Sequence, residues 1–347
     1  MTTRGKQIDW PAAAEALARA IPKARLQVRV LAAAEAMAPR TVWGVGFSGG
    51  ADSVSLLLLL WAHWPRRRRW LRGLHFDHRL RGAASRADAV VCRQVCAALG
   101  VSFVSGDWPG RHRGASEAEA RAARLAFLGR KARVLWFGHQ QDDVAESMLM
   151  RLARGSGAGG LAAPRPVQSQ PGGRTHLRPL LDLKKNELVA ALRATGIPWR
   201  EDASNETDDF FRNRIRRDVL PAWTAAARRD AVAGAARARE LIEEDDAALE
   251  AWLGELPWRA PRGGLALRAL AGKPRALARR ALHRWLRVAV PKLDLSRAGF
   301  EALLLAVELG QPTRHSLGRE GFGVIRDGVL RSERAGKRKT RFNRPTN

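Results

Sequence analysis

A glycine-rich turn between two apolar segments constrains this chain more than any other feature. The turn reads Phe47-Ser48-Gly49-Gly50-Ala51-Asp52-Ser53. It closes a short β-like run over 42–47 and opens a predicted helix over 52–63. The glycines let backbone N–H groups approach a phosphate closely, the serine hydroxyls add donors, and the helix start adds positive potential. The turn therefore predicts a phosphate site, and its aspartate, Asp52, indicates a bridging cation such as Mg²⁺.

Three more strand–helix pairs follow this turn along the chain. The predicted strands cover 71–76, 101–104 and 134–137, and the helices behind them cover 84–99, 117–131 and 142–154. Four such units in series predict an α/β fold, a Rossmann-like parallel sheet with helices on both faces. Ligands of these sheets bind outside the carboxyl ends of the strands. The glycine turn and the segment 139–143 both fall there.

The remainder of the chain has a different pattern. A stretch rich in Gly, Pro and Ala predicts a long loop over 155–173, and a helix is predicted over 184–194. Beyond residue 216 the pattern predicts helices over 223–253, 274–288 and 296–309, with a small hairpin over 321–330. We therefore expect a nucleotide-binding catalytic domain over 1–217, a mainly helical domain over 218–333 and a basic, disordered tail over 334–347.

The charge of the chain is strongly basic and unevenly placed. The 347 residues include 61 Lys plus Arg and 34 Asp plus Glu, a formal net charge of +27. Residues 201–250 carry 8 basic and 13 acidic side chains, whereas 251–347 carry 21 basic and 7 acidic ones. A genome-wide preference for arginine would raise the basic content of both segments, so it does not explain the difference between them. The C-terminal part is therefore expected to bind a polyanion such as nucleic acid.

Two classes of protein are excluded by composition. With only Cys92 and Cys96, a disulfide framework and a four-thiolate metal or iron–sulfur site are ruled out. No apolar window is long enough to span a bilayer, and the N-terminus lacks the apolar stretch of a secretory signal. These features predict a cytoplasmic protein without membrane partners.

Several polar motifs accompany the predicted strands and helices in a fixed order. They are His75-Phe76-Asp77-His78, Arg121-Ala-Ala-Arg124, Gly138-His139-Gln-Gln-Asp142-Asp143-Val-Ala-Glu146, Arg178-Pro179-Leu180-Leu181 and Arg212-Asn213-Arg214-Ile215-Arg216. Together with the glycine turn, they resemble the tRNA(Ile)-lysidine synthetase family of PP-loop ATP pyrophosphatases. The resemblance is specific over about 40–220 and weaker through 318–330.

The resemblance implies a two-step reaction. ATP activates the C2 oxygen of the wobble cytidine of a CAU-anticodon isoleucine tRNA, and L-lysine then displaces AMP to leave lysidine. The implied ligands are ATP with Mg²⁺, L-lysine and this tRNA. A homodimer is compatible with the family, and the sequence leaves the oligomeric state open. The residues implied to bind ATP are Ser48, Gly49, Gly50, Ala51, Asp52, Ser53 and His139.

Charged residues of the motifs suit the remaining roles. Asp142, Asp143 and Glu146 share one face of a helix, where their mutual repulsion favours a cationic ligand such as the ammonium groups of lysine. Arg121 and Arg124, three residues apart, suit phosphate or the charge that develops on the α-phosphorus. The catalytic residues expected are Asp52, Arg121, Arg124, Asp143 and Glu146, with Asp52 also as the Mg²⁺ ligand. The tRNA-binding residues expected are Arg212, Arg216, Arg275, Arg279, Arg280 and Arg284.

Two alternatives share part of this pattern. A sulfur-transferring tRNA enzyme, such as a 2-thiocytidine synthetase, would use the same phosphate loop but needs reactive thiols or an iron–sulfur cluster near the site. Cys92 and Cys96 are predicted on a helix away from the strand ends, packed as small hydrophobic residues. An RNA-binding protein without turnover is the other alternative, and the intact Ser48, Asp52 and Glu146 argue against it.

Overall fold

The fold is taken from a computed structural model, which describes residues 8–78, 83–108, 116–200, 211–290 and 295–334. Their contacts divide the chain into two compact units, Met1–Glu243 and Glu244–Asn347. Of the predicted tail over 334–347, residues 335–347 lie outside the described residues. Within the described residues, no helix combines the length and apolar character needed to cross a membrane.

A six-stranded sheet forms the centre of the first unit, in the order β3-β2-β1-β4-β6-β5. Its strands are β1 (Trp43–Gly46), β2 (Leu71–Asp77), β3 (Ser102–Asp107), β4 (Val134–Trp136), β5 (Val167–Gln170) and β6 (Arg174–Leu177). Every pairing is parallel except that of the edge strand β5 with β6. The predicted parallel α/β sheet is confirmed, because each of its first four strands is followed by the helix expected for it.

Helices cover the sheet and extend the first unit. They are α1 (Trp10–Ala20), α2 (Val28–Glu35), α3 (Ala51–His63), α4 (Ala83–Ala98), α5 (Glu117–Lys131), α6 (Gln141–Leu152), α7 (Ala158–Leu161), α8 (Lys185–Ala194), α9 (Phe211–Arg214), α10 (Leu220–Ala227) and α11 (Ala231–Glu255). A π-helical turn, Ile215–Val219, joins α9 to α10. Helix α3 is buried nearly all round, since ten of its thirteen residues are buried, and this explains its uninterrupted apolar sequence.

Two sequence expectations for the first unit were wrong in detail. The stretch 155–173 is not one long loop: it holds α7 and all of β5, and β6 begins directly after it. The helix expected over 223–253 is interrupted at Arg228, whose φ of 49° ends α10 before α11 begins. In both places the hydrophobic pattern of the sequence does not mark where one element ends and the next begins.

In its described residues, the second unit combines the C-terminal part of α11 and two further helices with a small antiparallel sheet. The further helices are α12 (Arg275–Ala289) and α13 (Arg297–Leu309). The strands β7 (Arg259–Ala260), β8 (Gly264–Ala266), β9 (Thr313–Ser316), β10 (Phe322–Arg326) and β11 (Val329–Glu333) pair in the order β7-β8-β11-β10-β9. The expected hairpin over 321–330 is present as β10 and β11, and it belongs to this larger sheet. Leu265, Ile325 and Leu330 pack on the helices and form the core of the unit.

Candidate active site

The hydroxyl of Ser53 organises the glycine-rich turn. Its Oγ accepts hydrogen bonds from the N–H groups of Ser48 at 3.2 Å and Gly49 at 3.1 Å, and it donates to the carbonyl of Gly50 at 3.0 Å. Gly49 has a φ of +86°, and a Cβ there would lie 3.2 Å from Sγ of Cys92. A side chain at this position is therefore both strained and crowded.

Neighbouring elements hold the turn from two sides. His75, at the end of β2, places Nδ1 3.0 Å from the carbonyl oxygen of Phe47. On the other side, the N–H of Arg200 donates to the carbonyl of Gly49 at 2.9 Å. The guanidinium of Arg200 is in turn bonded to Asp88 at 2.7 Å. Helix α3 then begins at Ala51, and its N-cap Gly50 has no side chain to cap the first N–H groups, which leaves them available to the phosphate site that the sequence predicts.

Lys185 connects this turn to the start of α6. Its ammonium lies 2.7 Å from Oδ1 of Asp52, and its backbone N–H donates to Oδ2 of Asp142 at 2.9 Å. Lys185 has no role that local sequence predicts, because its closeness to Asp52 joins residues 133 positions apart. The only local signal was its place at the first turn of a predicted helix.

Asp143 and Glu146 are paired with arginines of the segment around α9. Oε2 of Glu146 accepts from Nε of Arg212 at 2.6 Å, and Oε1 accepts from Nε of Arg216 at 2.6 Å. Oδ1 of Asp143 accepts from Nη2 of Arg212 at 2.5 Å. Glu146 has no exposed side-chain surface and Asp143 has 11%. Two of the three carboxylates expected to bind lysine and two of the six arginines expected to bind tRNA thus form one cluster.

Burial and charge shift the pKa of Asp143. Burial raises it to about 6, and the nearby carboxylates of Glu146 and Asp52 act in the same direction, against the opposing charge of Arg212. The other oxygen of Asp143 accepts the N–H of Gln140 at 2.9 Å and so caps α6. Asp143 is therefore an acid whose charge changes close to neutral pH.

His139 is held as a neutral hydrogen-bonding group. Nε of Arg178 donates to Nδ1 of His139 at 3.2 Å, which leaves the ring proton on Nε2. Burial, followed by the positive charges of Arg178, Arg121, Arg212 and Arg124 in that order, lowers the pKa of His139 well below its usual value. Arg178 is itself buried and donates to the carbonyl of Arg165 and to Gln168. It acts as a positioning residue for His139.

Arg121 and Arg124 lie on α5 at the same strand end. The charges of both lower the pKa of His139, and that of Arg121 also lowers the pKa of His176 and Arg178. The predicted catalytic arginines are therefore brought close to the predicted nucleotide-contacting histidine. A concentration of positive charge around neutral histidines favours an anionic ligand.

A cavity of about 640 Å³ opens beside the start of α6 and Lys185. One part of its lining is charged and consists of Asp142, Glu146, Lys185 and Arg216; another is apolar and includes Leu220 and Val232. The charged part holds two carboxylates and two cationic groups, so this combination suits a ligand with charged groups of both signs and an aliphatic stem.

Two features of the described residues concern the predicted Mg²⁺ ligand Asp52 and the thiols of Cys92 and Cys96. The described residues contain no group of three or more His, Cys, Asp or Glu placed to hold a metal ion. Mg²⁺ is commonly held by one or two carboxylates together with substrate phosphates, and Asp52 at the phosphate turn fits that donor set. Cys92 and Cys96 are buried, and burial raises the pKa of each thiol to about 12, so neither forms a reactive thiolate.

The four arginines expected on α12 to bind tRNA have acidic partners. Arg275 and Arg279 pair with Glu301 of α13, and Arg275 also approaches Glu308. On the other side of α12, Arg280 pairs with Asp246, and Arg284 pairs with Glu250. These contacts join α12 to α13 and to the C-terminal part of α11.

Comparison with known proteins shows which families this chain resembles. Residues 22–223 match the ATP_bind_3 model of the PP-loop domain. A tRNA(Ile)-lysidine synthase of Symbiobacterium thermophilum is 37% identical over 294 residues, which cover 78% of this chain and 60% of that protein. The enzyme of the same name from Solibacter usitatus is 38% identical, over 76% of this chain and 60% of that protein. For the one from Salinispora tropica the identity is 38%, over 70% of this chain and 75% of that protein.

The matched region contains the phosphate turn, the α6 carboxylates and their arginine partners. The chain spans about 60% of the length of the first two relatives. The extent and identity of these matches place the chain in the tRNA(Ile)-lysidine synthase family.

Proposed function

We propose that this chain joins L-lysine to C2 of the wobble cytidine of a CAU-anticodon isoleucine tRNA, at the expense of ATP. The observation that carries the proposal is the link through Lys185, which joins Asp52 of the phosphate turn to Asp142 of α6. Because the link sets the phosphate turn beside the carboxylates of α6, it supports a nucleotide site next to a site for a cationic ligand. We place this reaction in the cytoplasm, where ATP, L-lysine and tRNA are all present.

The first half-reaction forms an adenylated cytidine. The C2 oxygen of the cytidine attacks the α-phosphorus of ATP, and pyrophosphate leaves. The first N–H groups of α3, with Ser48 and Ser53 shaping the turn from Gly49 to Ala51, would bind the phosphates that leave. Arg121 and Arg124 would stabilise the charge on the α-phosphorus, and neutral His139 would donate from Nε2 to the nucleotide.

Asp52 would hold Mg²⁺, with the ATP phosphates as its other ligands. The ion supplies positive charge to the leaving pyrophosphate. Lys185, now paired with Asp52, lies where its ammonium can transfer to a phosphate oxygen when the carboxylate takes the metal. We therefore assign Lys185 to the phosphate site as well.

The second half-reaction places an amine on C2. The ε-amine of lysine, in its neutral form, attacks C2, the bond to the activated oxygen breaks, and AMP leaves with that oxygen. Asp142, Asp143 and Glu146 would bind the ammonium groups of the amino acid, and one of these carboxylates would accept the proton that the amine loses. The apolar wall at Leu220 and Val232 would contact the aliphatic stem.

Arg212 and Arg216 would bind phosphates of the tRNA near its anticodon. Both pair with the carboxylates of α6. A tRNA phosphate offers each guanidinium an alternative anion, which would release Asp143 and Glu146 toward lysine.

The test is turnover with defined substrates. Purified protein is mixed with ATP, Mg²⁺ and a CAU-anticodon isoleucine tRNA transcript, with and without L-lysine. We expect AMP that depends on lysine, and a tRNA nucleoside whose mass exceeds that of cytidine by one lysine less one water. Asp52→Asn, which keeps the size of the side chain, is the matched inactive control.

Two outcomes would contradict the proposal. Product that requires a sulfur donor rather than lysine would assign the chain to the thiolating enzymes. Binding of the tRNA without any ATP cleavage, in protein whose fold is verified by circular dichroism, would leave a binding protein.

A further inference from the structure

The small sheet of the second unit has one face turned away from the core. Strand register aligns Val324 of β10 with Arg331 of β11 on one side and with Arg314 of β9 on the other. Because directly opposed residues of antiparallel strands share a face, these three side chains lie on the same side of the sheet. Ile325 and Leu330 occupy the opposite side and are buried in the core of the unit.

The outward side is basic and partly aromatic. Alternation along β10 adds Phe322 and Arg326 to the row of Val324, and we call these three residues, together with Arg314 and Arg331, the outward face. Arg314, Arg326 and Arg331 are exposed. The one acidic side chain that the described strands add to this side is Glu333, which lies 3.6 Å from Arg326. Three guanidinium groups therefore face solvent with one carboxylate among them.

Arg314 is held in a defined position on this face. Its guanidinium carbon lies 3.5 Å from the centre of the Phe322 ring, so the two groups are in direct cation–π contact. A guanidinium supported in this way loses little freedom when it binds a phosphate or stacks on a nucleic-acid base. Aromatic and arginine side chains on an exposed sheet are a recurrent means of binding RNA.

The arginines of α12 contrast with this face. Each has a carboxylate partner in the second unit, so a phosphate must compete with an existing ion pair. At the outward face, Arg314 rests on the Phe322 ring instead, and among the described residues no carboxylate forms an ion pair with it.

We propose that the second unit binds RNA through this outward face, with Arg314 and Arg331 contacting phosphates on either side of Val324. The inference rests on the proposed function for the identity of the RNA, a tRNA. It differs from the sequence expectation, which placed these contacts on Arg275, Arg279, Arg280 and Arg284.

The experiment compares two double variants that remove the same charge. Arg314→Gln with Arg331→Gln alters the outward face, and Arg275→Gln with Arg279→Gln alters α12. Dissociation constants for a CAU-anticodon isoleucine tRNA transcript are measured by filter binding across a salt series, with the full chain and without ATP or lysine. For the outward-face variant we expect about tenfold weaker binding at low salt, and a salt dependence reduced by about one unit of slope per arginine. For the α12 variant we expect a slope close to that of the unmodified chain.

A third variant, Arg314→Lys with Arg331→Lys, protects the test against a folding defect. It keeps both charges and should keep the salt slope, with somewhat weaker affinity because lysine does not stack as arginine does. Thermal denaturation of all variants confirms that they are folded.

Each remaining result has a definite meaning. An unchanged slope for the outward-face variant overturns the inference while the proposed function stands. Equal losses for the two double variants indicate an effect of overall charge and also overturn it. If the unmodified chain does not bind the transcript, both the inference and the tRNA part of the proposed function fail.

Discussion

The ammonium of Lys185 and the carboxylate of Asp52 lie 2.7 Å apart, although the two residues are 133 positions apart in the chain. This pair joins the first turn of α8 to the first turn of α3. It also places a positive charge at the mouth of the phosphate turn. The neighbouring Lys184 points elsewhere and pairs with Asp230.

Replacing Lys185 should weaken nucleotide binding. For Lys185→Met we expect about tenfold weaker binding of Mg²⁺–ATP, because a phosphate oxygen loses its cation and Asp52 loses its partner. About 1.4 kcal/mol corresponds to this factor, a modest value that suits two side chains still partly exposed to water. Isothermal titration with a non-hydrolysable ATP analogue gives the constant. Lys184→Met is the matched control and should change it less than twofold; equal effects of the two variants would contradict the assignment.

Ser53 and Ser55 offer a second matched pair on one helix. Ser53→Ala removes the acceptor that holds the N–H groups of Ser48 and Gly49, so the turn should loosen and ATP binding should weaken about tenfold or more. The buried hydroxyl of Ser55 has no hydrogen-bond partner among the described residues. Ser55→Ala should therefore leave ATP binding intact and keep or raise the free energy of unfolding, by up to about 1 kcal/mol. Titration and urea denaturation measure the two quantities. Weaker ATP binding by Ser55→Ala would show that the effect of Ser53 is not specific to the turn.

Asp143 should give the reaction an acidic limit near pH 6. Burial raises the pKa of this carboxyl to about 6, so it is charged above that pH and neutral below it. A neutral Asp143 cannot pair with Arg212 or attract an ammonium group. We therefore expect kcat/KM for lysine to fall about tenfold per pH unit below pH 6. Rates at saturating ATP and tRNA give the profile, and Asp143→Asn should have lower rates without this limb. A profile that stays level to pH 5, or a limb that persists in Asp143→Asn, would contradict the assignment.

Local patterns were sufficient to predict the phosphate turn and the four strand–helix units. Each depends on residues close in sequence, such as Gly49 with its positive φ and the apolar run of α3. The strands β5 and β6 were missed because their sequences, Val167-Gln-Ser-Gln170 and Arg174-Thr-His-Leu177, contain few apolar residues and follow a stretch rich in glycine.

The partners within the site could not be predicted in the same way. The sequence indicated that Glu146 and Arg212 both matter, and it assigned them to different ligands. Their contact joins residues 66 positions apart and depends on how α9 returns to α6. Ion pairs at such separations leave no local pattern, so only the folded chain reveals that the two sets of charges meet.

The double pairing of Glu146 with Arg212 and Arg216 makes amine binding there an exchange reaction. An incoming ammonium can pair with Glu146 only when a guanidinium leaves it. The affinity for the amine then reflects the difference in free energy between the two pairings. An anion that accepts the released guanidinium lowers the cost of that exchange. On the proposed function, we therefore expect amine and polyanion to bind with positive cooperativity, each strengthening the binding of the other by the same factor, as thermodynamic reciprocity requires.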